Sequence, residues 1–168
     1  MLVIFNHGKE SGPWGSKIKV LAKTSEAMGF SVTSVDYQGI DDPDQRVEKL
    51  TTYIEALTEN FLLVGSSMGG YVATVAAAKT KTKSRGLFLM APAFYLGGQA
   101  NFDELTPACE TQIIHGWNDD IVPVENSWRY AERTRAELHM VNDDHRLIDS
   151  LPQTNALFKR FLETLLKG

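Results

Sequence analysis

The stretch "LLVGSSMGGY" at residues 62–71 fits the pattern G-x-S-x-G, with Ser67 at its centre. An apolar run precedes the pattern and an alanine-rich helical stretch follows it, as expected for a sharp turn from strand to helix. Such a turn exposes the central hydroxyl, and glycines at positions 65 and 69 avoid the collisions that side chains would cause there. The helix N-terminus also supplies positive potential for a developing oxyanion. We predict that Ser67, and not Ser66, is a nucleophile; the alternative is a solvated serine in a glycine-rich turn.

A serine hydroxyl is a weak nucleophile without a base, and the sequence has four histidines. His139 falls inside a predicted strand, which favours a structural role. His7, His115 and His145 each lie at the end of a predicted strand, where catalysis is commonly located. His145, in "NDDHRL", follows every favoured acid along the chain, so we predict that it is the base.

The acid that orients the base is expected after a late strand. The segment "HGWNDDIVP" at 115–123 offers Asp119 and Asp120 in a turn, and one of the two could point at the histidine while the other caps the turn. Asp143 and Asp144 are too near His145 in sequence to approach its ring comfortably.

The elements that must position these residues are short apolar runs alternating with amphipathic stretches. The runs are mostly continuous, which is typical of parallel strands buried on both faces. Asp42 and Pro43 predict the start of a helix, and Pro152 is expected to precede the last one. The predicted fold is α/β, a doubly wound, mostly parallel six-stranded sheet with helices on both faces. The predicted strands lie in 2–5, 30–37, 61–65, 86–92, 111–116 and 136–141, and the helices in 16–28, 41–60, 69–79, 124–135 and 153–166.

The chain of 168 residues is expected to form a single domain, 1–168. Residues 93–110 have no clear helical period and are too short for a separate cap, so they are predicted to be a short cover segment over a fairly open site. The basic stretch "KTKTKSR" at 79–85 is interpreted as a solvated helix end, and the alternative is a basic docking patch.

With these segments in place, the chain resembles the α/β-hydrolase superfamily over nearly its whole length. The order Ser67, Asp119, His145 is the order of that superfamily. "HGWNDDIVP" is similar to its H-G-x-x-D-x-x-V-P segment, which implies Asp119 as the acid and makes Asp120 the runner-up. "NHGKESG" at 6–12 resembles its oxyanion loop, which implies the backbone N–H groups of Lys9 and Met68 as oxyanion donors.

The chain departs from the superfamily pattern in two respects. It begins at what is usually the third strand, which implies a minimal version of the fold. It also has Lys9 where many relatives have an apolar residue; the ammonium group could favour anionic substrates or could simply extend into solvent.

The resemblance implies a serine hydrolase that cleaves small or modest carboxylic esters and needs no metal or organic cofactor. A thioesterase or an acyltransferase would use the same residues, and a non-catalytic protein that binds a ligand or partner could share the fold. Four aromatic residues near the predicted site are candidates for substrate binding: Trp14, Phe94, Tyr95 and Trp117.

Composition and charge argue against nucleic-acid binding and against a membrane span. A net charge of −4 and a pI near 5.6 do not favour nucleic-acid binding, and no apolar run approaches the length of a membrane span. The single cysteine, Cys109, and the lack of a signal-like N-terminus favour a cytoplasmic location. The expected partner is a small acyl ester or thioester, and the oligomeric state stays open.

Overall fold

A computed structural model describes residues 1–80 and 84–167, which contain six β-strands and five α-helices. The predicted order of these elements is confirmed. Along the chain they are β1 (Leu2–Asn6), α1 (Ser16–Ala27), β2 (Ser31–Val35), α2 (Pro43–Glu55), β3 (Phe61–Ser66), α3 (Met68–Lys79), β4 (Ser84–Met90), β5 (Glu110–Gly116), α4 (Val124–Thr134), β6 (Glu137–Val141) and α5 (Leu151–Lys167). Residues 81–83 of the basic stretch 79–85 lie outside the described residues.

The strands form one sheet in the order β2-β1-β3-β4-β5-β6, and each neighbouring pair is parallel. Every residue of β1 and β3 is buried, as the continuous apolar runs predict, whereas the edge strand β2 is only partly covered. The carboxyl ends of all six strands therefore lie at the same edge of the sheet. In sheets of this type, ligands bind beyond that edge.

Helices cover both faces of the sheet, which confirms the predicted fold class. One apolar cluster joins α2, α3 and α4 to one face, and a second joins α1 and α5 to the other. Alternate residues of each strand enter opposite clusters: Ile4 packs with the first group and Phe5 with the second. The resulting core is wholly shielded, because side chains from both faces of the central strands are below a tenth exposed.

Two helix starts show how local sequence signals act. At α2 the Asp42 carboxylate accepts a hydrogen bond from the Asp44 N–H at 2.9 Å, and Pro43 is the first helical residue, as predicted. Helix α5 begins at Leu151, two residues before the predicted start. Pro152 therefore lies inside the first turn, where a missing N–H leaves no helical hydrogen bond unmade.

The segment between β4 and β5 contains no helix or strand, and it packs against the helices through aromatic rings. The Phe94 ring is fully buried, with centroids 4.6 Å from the Phe102 ring and 4.4 Å from the Tyr130 ring. These three rings join the segment to α4.

Hydrogen bonds tie the same segment to α2 and α3. The Tyr71 hydroxyl donates to the Asp44 carboxylate at 2.6 Å and accepts from the Ala100 N–H at 3.2 Å. The Gln99 N–H donates to the other oxygen of Asp44 at 3.0 Å. The segment is therefore continuous with the core of the domain.

Candidate active site

Ser67 lies between the end of β3 and the start of α3 with φ 55° and ψ −119°, a conformation that non-glycine residues rarely adopt. The glycines around it have the steric role predicted for them. A Cβ at position 69 would lie 1.9 Å from the Asn6 carbonyl oxygen, and one at position 65 would lie 2.4 Å from the Gly69 carbonyl oxygen. Only glycine permits so tight a turn at these two positions.

Backbone hydrogen bonds hold Ser67 in this conformation. Its N–H donates to the Met90 carbonyl at the end of β4, at 3.0 Å. Its own carbonyl accepts from the N–H groups of Gly70 at 2.9 Å and Ala93 at 3.0 Å. Backbone strain of this kind costs on the order of 1–3 kcal/mol and persists where the surroundings over-determine it, as they do here.

The three predicted residues form a continuous hydrogen-bonded chain. The His145 ring lies with Nε2 3.0 Å from Ser67 Oγ and Nδ1 2.7 Å from Asp119 Oδ2. Because a carboxylate only accepts, Nδ1 carries the proton and Nε2 is left to accept from the serine hydroxyl. Asp120 is exposed, so the acid in contact with the ring is Asp119.

Asp119 is held as an anion although its side chain is fully buried. Burial by itself would raise the pKa of Asp119, but the hydrogen bond from His145 and the backbone N–H groups of Val122 and Ile121 outweigh it and keep the pKa below its usual range. The two N–H groups contact Oδ1 at 2.8 and 2.9 Å. A buried, ionised carboxylate of this kind can stabilise the imidazolium form of the histidine.

Sequence reasoning identified His115 only as a strand-end histidine and missed its contact with the acid. Its Nε2 donates to Asp119 Oδ2 at 2.9 Å and lies 3.0 Å from the Val122 carbonyl, while Nδ1 accepts from the Ser127 hydroxyl at 2.7 Å. Burial lowers the pKa of His115 despite the neighbouring carboxylate, so the ring is neutral. One oxygen of Asp119 thus accepts from two histidines. The sequence feature that could have predicted this contact is the position of His115, near the end of β5 and four residues before Asp119.

His7, the third strand-end histidine, lies outside this chain and shapes the loop after β1. Its ring is buried, with Nδ1 donating to the Gly8 carbonyl at 2.7 Å and Nε2 accepting from the Tyr37 N–H at 2.9 Å. The buried Arg46 guanidinium donates to the carbonyls of His7 and Gly8 at 3.4 and 3.3 Å. These contacts fix the backbone that leads into Lys9.

Loop contacts bring His145 to Asp119. The Asn118 N–H donates to the Asp143 carbonyl at 3.0 Å, which joins the loop after β5 to the loop after β6. The Asp143 carboxylate accepts from the N–H groups of Asp144 and Ser150, both at 2.7 Å. Asp143 therefore stabilises its own loop, in agreement with its rejection as the acid.

Ser67 and His145 open onto a cleft of about 580 Å³. Lys9 and Met68, the predicted oxyanion donors, both line it. Apolar side chains form much of the wall, and three of them, Leu96, Ile121 and Ile148, are more than two-fifths exposed.

The structure places none of the four aromatic candidates in the lining of this cleft. Phe94 is the clearest correction, because its ring is fully buried against Phe102 and Tyr130 and has no free surface. Tyr95 packs beside the Arg129 guanidinium, 4.4 Å from the ring centroid. Trp14 and Trp117 are 44% and 56% exposed and lie outside the cleft.

Residues 1–80 and 84–167 contain no group of three His, Cys, Asp or Glu side chains arranged to hold a metal ion. Within the same ranges, no helix has both the length and the hydropathy that crossing a bilayer requires.

Comparison with known proteins identifies the family of the chain. Residues 2–148 match the profile of UPF0227, which is described as an uncharacterised protein family. The chain belongs to the UPF0227 family. No curated protein sequence matches this UPF0227 chain.

Solved structures similar to this UPF0227 chain have the α/β-hydrolase fold, so the resemblance seen in the sequence is confirmed. A member of the alpha/beta hydrolase superfamily from Xanthomonas campestris pv. campestris is 28% identical, with a TM-score of 0.88 over 97% of this chain and 98% of that one. Est1E from Butyrivibrio proteoclasticus is 18% identical, with a TM-score of 0.82 over 99% and 88% of the two chains. An esterase from Pyrococcus furiosus is 18% identical, with a TM-score of 0.81 over 99% and 81%.

Proposed function

We propose that this protein is a serine hydrolase that cleaves small or modest carboxylic esters through an acyl-enzyme. The observation that carries the proposal is the hydrogen-bonded chain from Ser67 Oγ through His145 to Asp119, at the wall of an open cleft. The similarity to an alpha/beta hydrolase superfamily member at 28% identity supports the same class of reaction.

In the acylation step, Ser67 Oγ attacks the carbonyl carbon of the ester while His145 Nε2 takes the hydroxyl proton. The C–O bond to the alcohol then breaks, and the same proton passes from Nε2 to the departing oxygen. Asp119 keeps the proton on Nδ1 and stabilises the imidazolium. Water repeats the sequence, with the serine as leaving group, and releases the acid.

The negative charge on the carbonyl oxygen requires donors at the right place. We assign this role to the backbone N–H groups of Met68, at the start of α3, and of Lys9, in the loop that His7 and Arg46 hold. Each such donor contributes roughly 3 kcal/mol to stabilisation of the transition state. Neither depends on its own side chain.

The test is the intact mass of the protein after incubation with a fluorophosphonate, which needs an activated serine but no natural substrate. The wild type should gain one adduct, and Ser67→Ala should gain none. Ser66→Ala is the matched control, because it removes the neighbouring hydroxyl and should still be labelled. A folded wild type that stays unlabelled would argue against the hydrolase and for a protein that only binds a ligand.

A second measurement, on protein that reacts with the fluorophosphonate, determines the substrate class. Matched oxygen esters and thioesters of the same short acyl group should both be hydrolysed, with the oxygen ester giving the higher kcat/KM. A large preference for the thioester would assign the site to a thioesterase that uses the same residues.

A further inference from the structure

Three cationic side chains line the same cleft as Ser67: Lys9, Lys17 and Arg146. They come from three separate parts of the chain, the loop after β1, the first turn of α1 and the residue after His145. Among the described residues, Glu10 is the only acid that lines this cleft. The chain as a whole carries a net charge of −4, so the positive charge of this cleft is opposite in sign to that of the whole protein.

Asp119, Asp143 and Asp144 are near enough for their charge to act on Lys17, but they form no ion pair with it. Within residues 1–80 and 84–167, no carboxylate forms an ion pair with any of the three. The nearby acids have other partners: Asp119 accepts from the two histidines, Asp143 from two backbone N–H groups, and Asp144 from the Arg146 N–H at 2.8 Å.

Lys17 is fixed at the cleft by a contact of its own. Lys17 is partly buried, and its ammonium group donates an exposed hydrogen bond to the Arg146 carbonyl at 2.9 Å, which brings the first turn of α1 against the loop that carries His145. An ammonium group has three N–H donors, so two remain for a ligand in the cleft.

Burial, and after it the Arg146 guanidinium, lowers the pKa of Lys17 to about 8, although Asp119, Asp143 and Asp144 act in the opposite direction. Lys17 and Arg146 therefore repel each other in part, and an anion bound by both would reduce that repulsion.

Apolar side chains form another part of the wall: Ile18, Leu96, Ile121 and Ile148. We infer, on the basis of the proposed function, that the preferred substrate is an ester carrying an anionic group on one side of the scissile bond and an apolar group on the other. Lys17 and Arg146 bind the anionic group, and the apolar side chains contact the remainder.

Two pairs of synthetic esters test this inference, one for each side of the scissile bond. The mono-4-nitrophenyl ester of adipic acid carries a carboxylate on the acyl side, and its methyl ester is the neutral match. The butyrate of 4-hydroxybenzoic acid carries it on the alcohol side, and the butyrate of methyl 4-hydroxybenzoate is its match. In one of the two pairs, kcat/KM for the anionic ester should exceed that for the neutral ester by roughly tenfold or more, as expected for a charge-assisted hydrogen bond.

Lys17→Met keeps much of the side-chain length and removes the charge. The ratio of anionic to neutral kcat/KM should fall about tenfold in this variant, and further in the double variant with Arg146→Met. Lys19→Met is the matched control, because Lys19 is an exposed residue of the same helix that does not line the cleft; its ratio should equal that of the wild type.

The outcomes separate this inference from the proposed function. A wild type that reacts with the fluorophosphonate and hydrolyses the neutral esters, but shows a ratio near one in both pairs, would overturn the anion preference and leave the hydrolase intact. A preference that survives in the Lys17→Met and Arg146→Met double variant would overturn the assignment to these two residues. Absence of labelling and of all hydrolysis would contradict the proposed function itself.

Discussion

The polar residues around the cleft fall into two groups that are built in different ways. In the first group, Ser67, His145, Asp119 and His115 form a continuous chain in which each ring nitrogen and each carboxylate oxygen has a partner. In the second group, Lys9, Lys17 and Arg146 form no ion pair with an acid among the described residues. The first group holds the side chains that would move protons in the proposed reaction, whereas the second keeps N–H donors for a substrate's charge. Mutations in the two groups should therefore separate rate from substrate preference.

The largest effect is expected from Asp119→Asn, within the hydrogen-bonded chain. An amide cannot hold the proton on His145 Nδ1 or stabilise the imidazolium, so kcat should fall by about 10⁴-fold with little change in KM. Steady-state ester hydrolysis measures this change. Asp120→Asn is the matched control, and its activity should stay within a few-fold of the wild type. A larger loss in Asp120→Asn than in Asp119→Asn would break the assignment of the acid.

A smaller effect is expected from His115, which contacts the acid but not the substrate. His115→Phe removes the donor to Asp119 Oδ2 and the acceptor for the Ser127 hydroxyl, so the carboxylate is held less well and kcat should fall by roughly 10- to 100-fold. KM should change little.

His115→Gln distinguishes positioning of the acid from a purely structural role. The glutamine amide can place an N–H near the position of the imidazole Nε2, so it should restore most of kcat. Urea unfolding of both variants shows whether stability accounts for the loss. Equal loss of kcat in the two variants, in step with their loss of stability, would mean that His115 is only structural.

The smallest effect is expected from the titration of Lys17, one of the three cations at the cleft. Lys17 faces Arg146, Asp119, Asp143 and Asp144, and its pKa is lowered to about 8. The ammonium is charged below that pH and loses its charge above it, so the preference for an anionic ester should decline several-fold between pH 7 and pH 9. The ratio of kcat/KM for the anionic and neutral esters measures this decline. In Lys17→Met the same ratio should be flat with pH, and a similar decline there would assign the titration to another group.

Much of the fold could be predicted because local and global signals agree. The strands are continuous apolar runs, which a sheet buried on both faces shields. Asp42 and Pro43 mark the start of α2, because the Asp42 carboxylate accepts from the Asp44 N–H. The start of α5 was missed because Pro152 is compatible both with a position just before a helix and with the first turn.

The contact between Ser67 and His145 could be predicted because residue type and chain order indicate it. The lining of the cleft was less predictable, because the direction of each side chain decides whether it lines the cleft or is buried. Phe94 was predicted to bind substrate and Lys17 was not, yet the Phe94 ring is buried against Phe102 and Tyr130 while Lys17 lines the cleft. The contact between His115 and Asp119 depends on how the turn after β5 folds back on its strand, which composition and period do not encode.

The wide separation of the site residues along the chain has a consequence for folding kinetics. Ser67 and His145 are 78 residues apart, and the Ser67 N–H donates to the end of β4, so the contacts that support the positive φ of Ser67 require that strand to be in place. Asp119 and His145 then require β5 and β6 side by side. Loop closure over such distances comes late in folding. Recovery of the proposed activity after dilution from denaturant should therefore lag behind recovery of helix, and it reports that the last strand has joined the sheet.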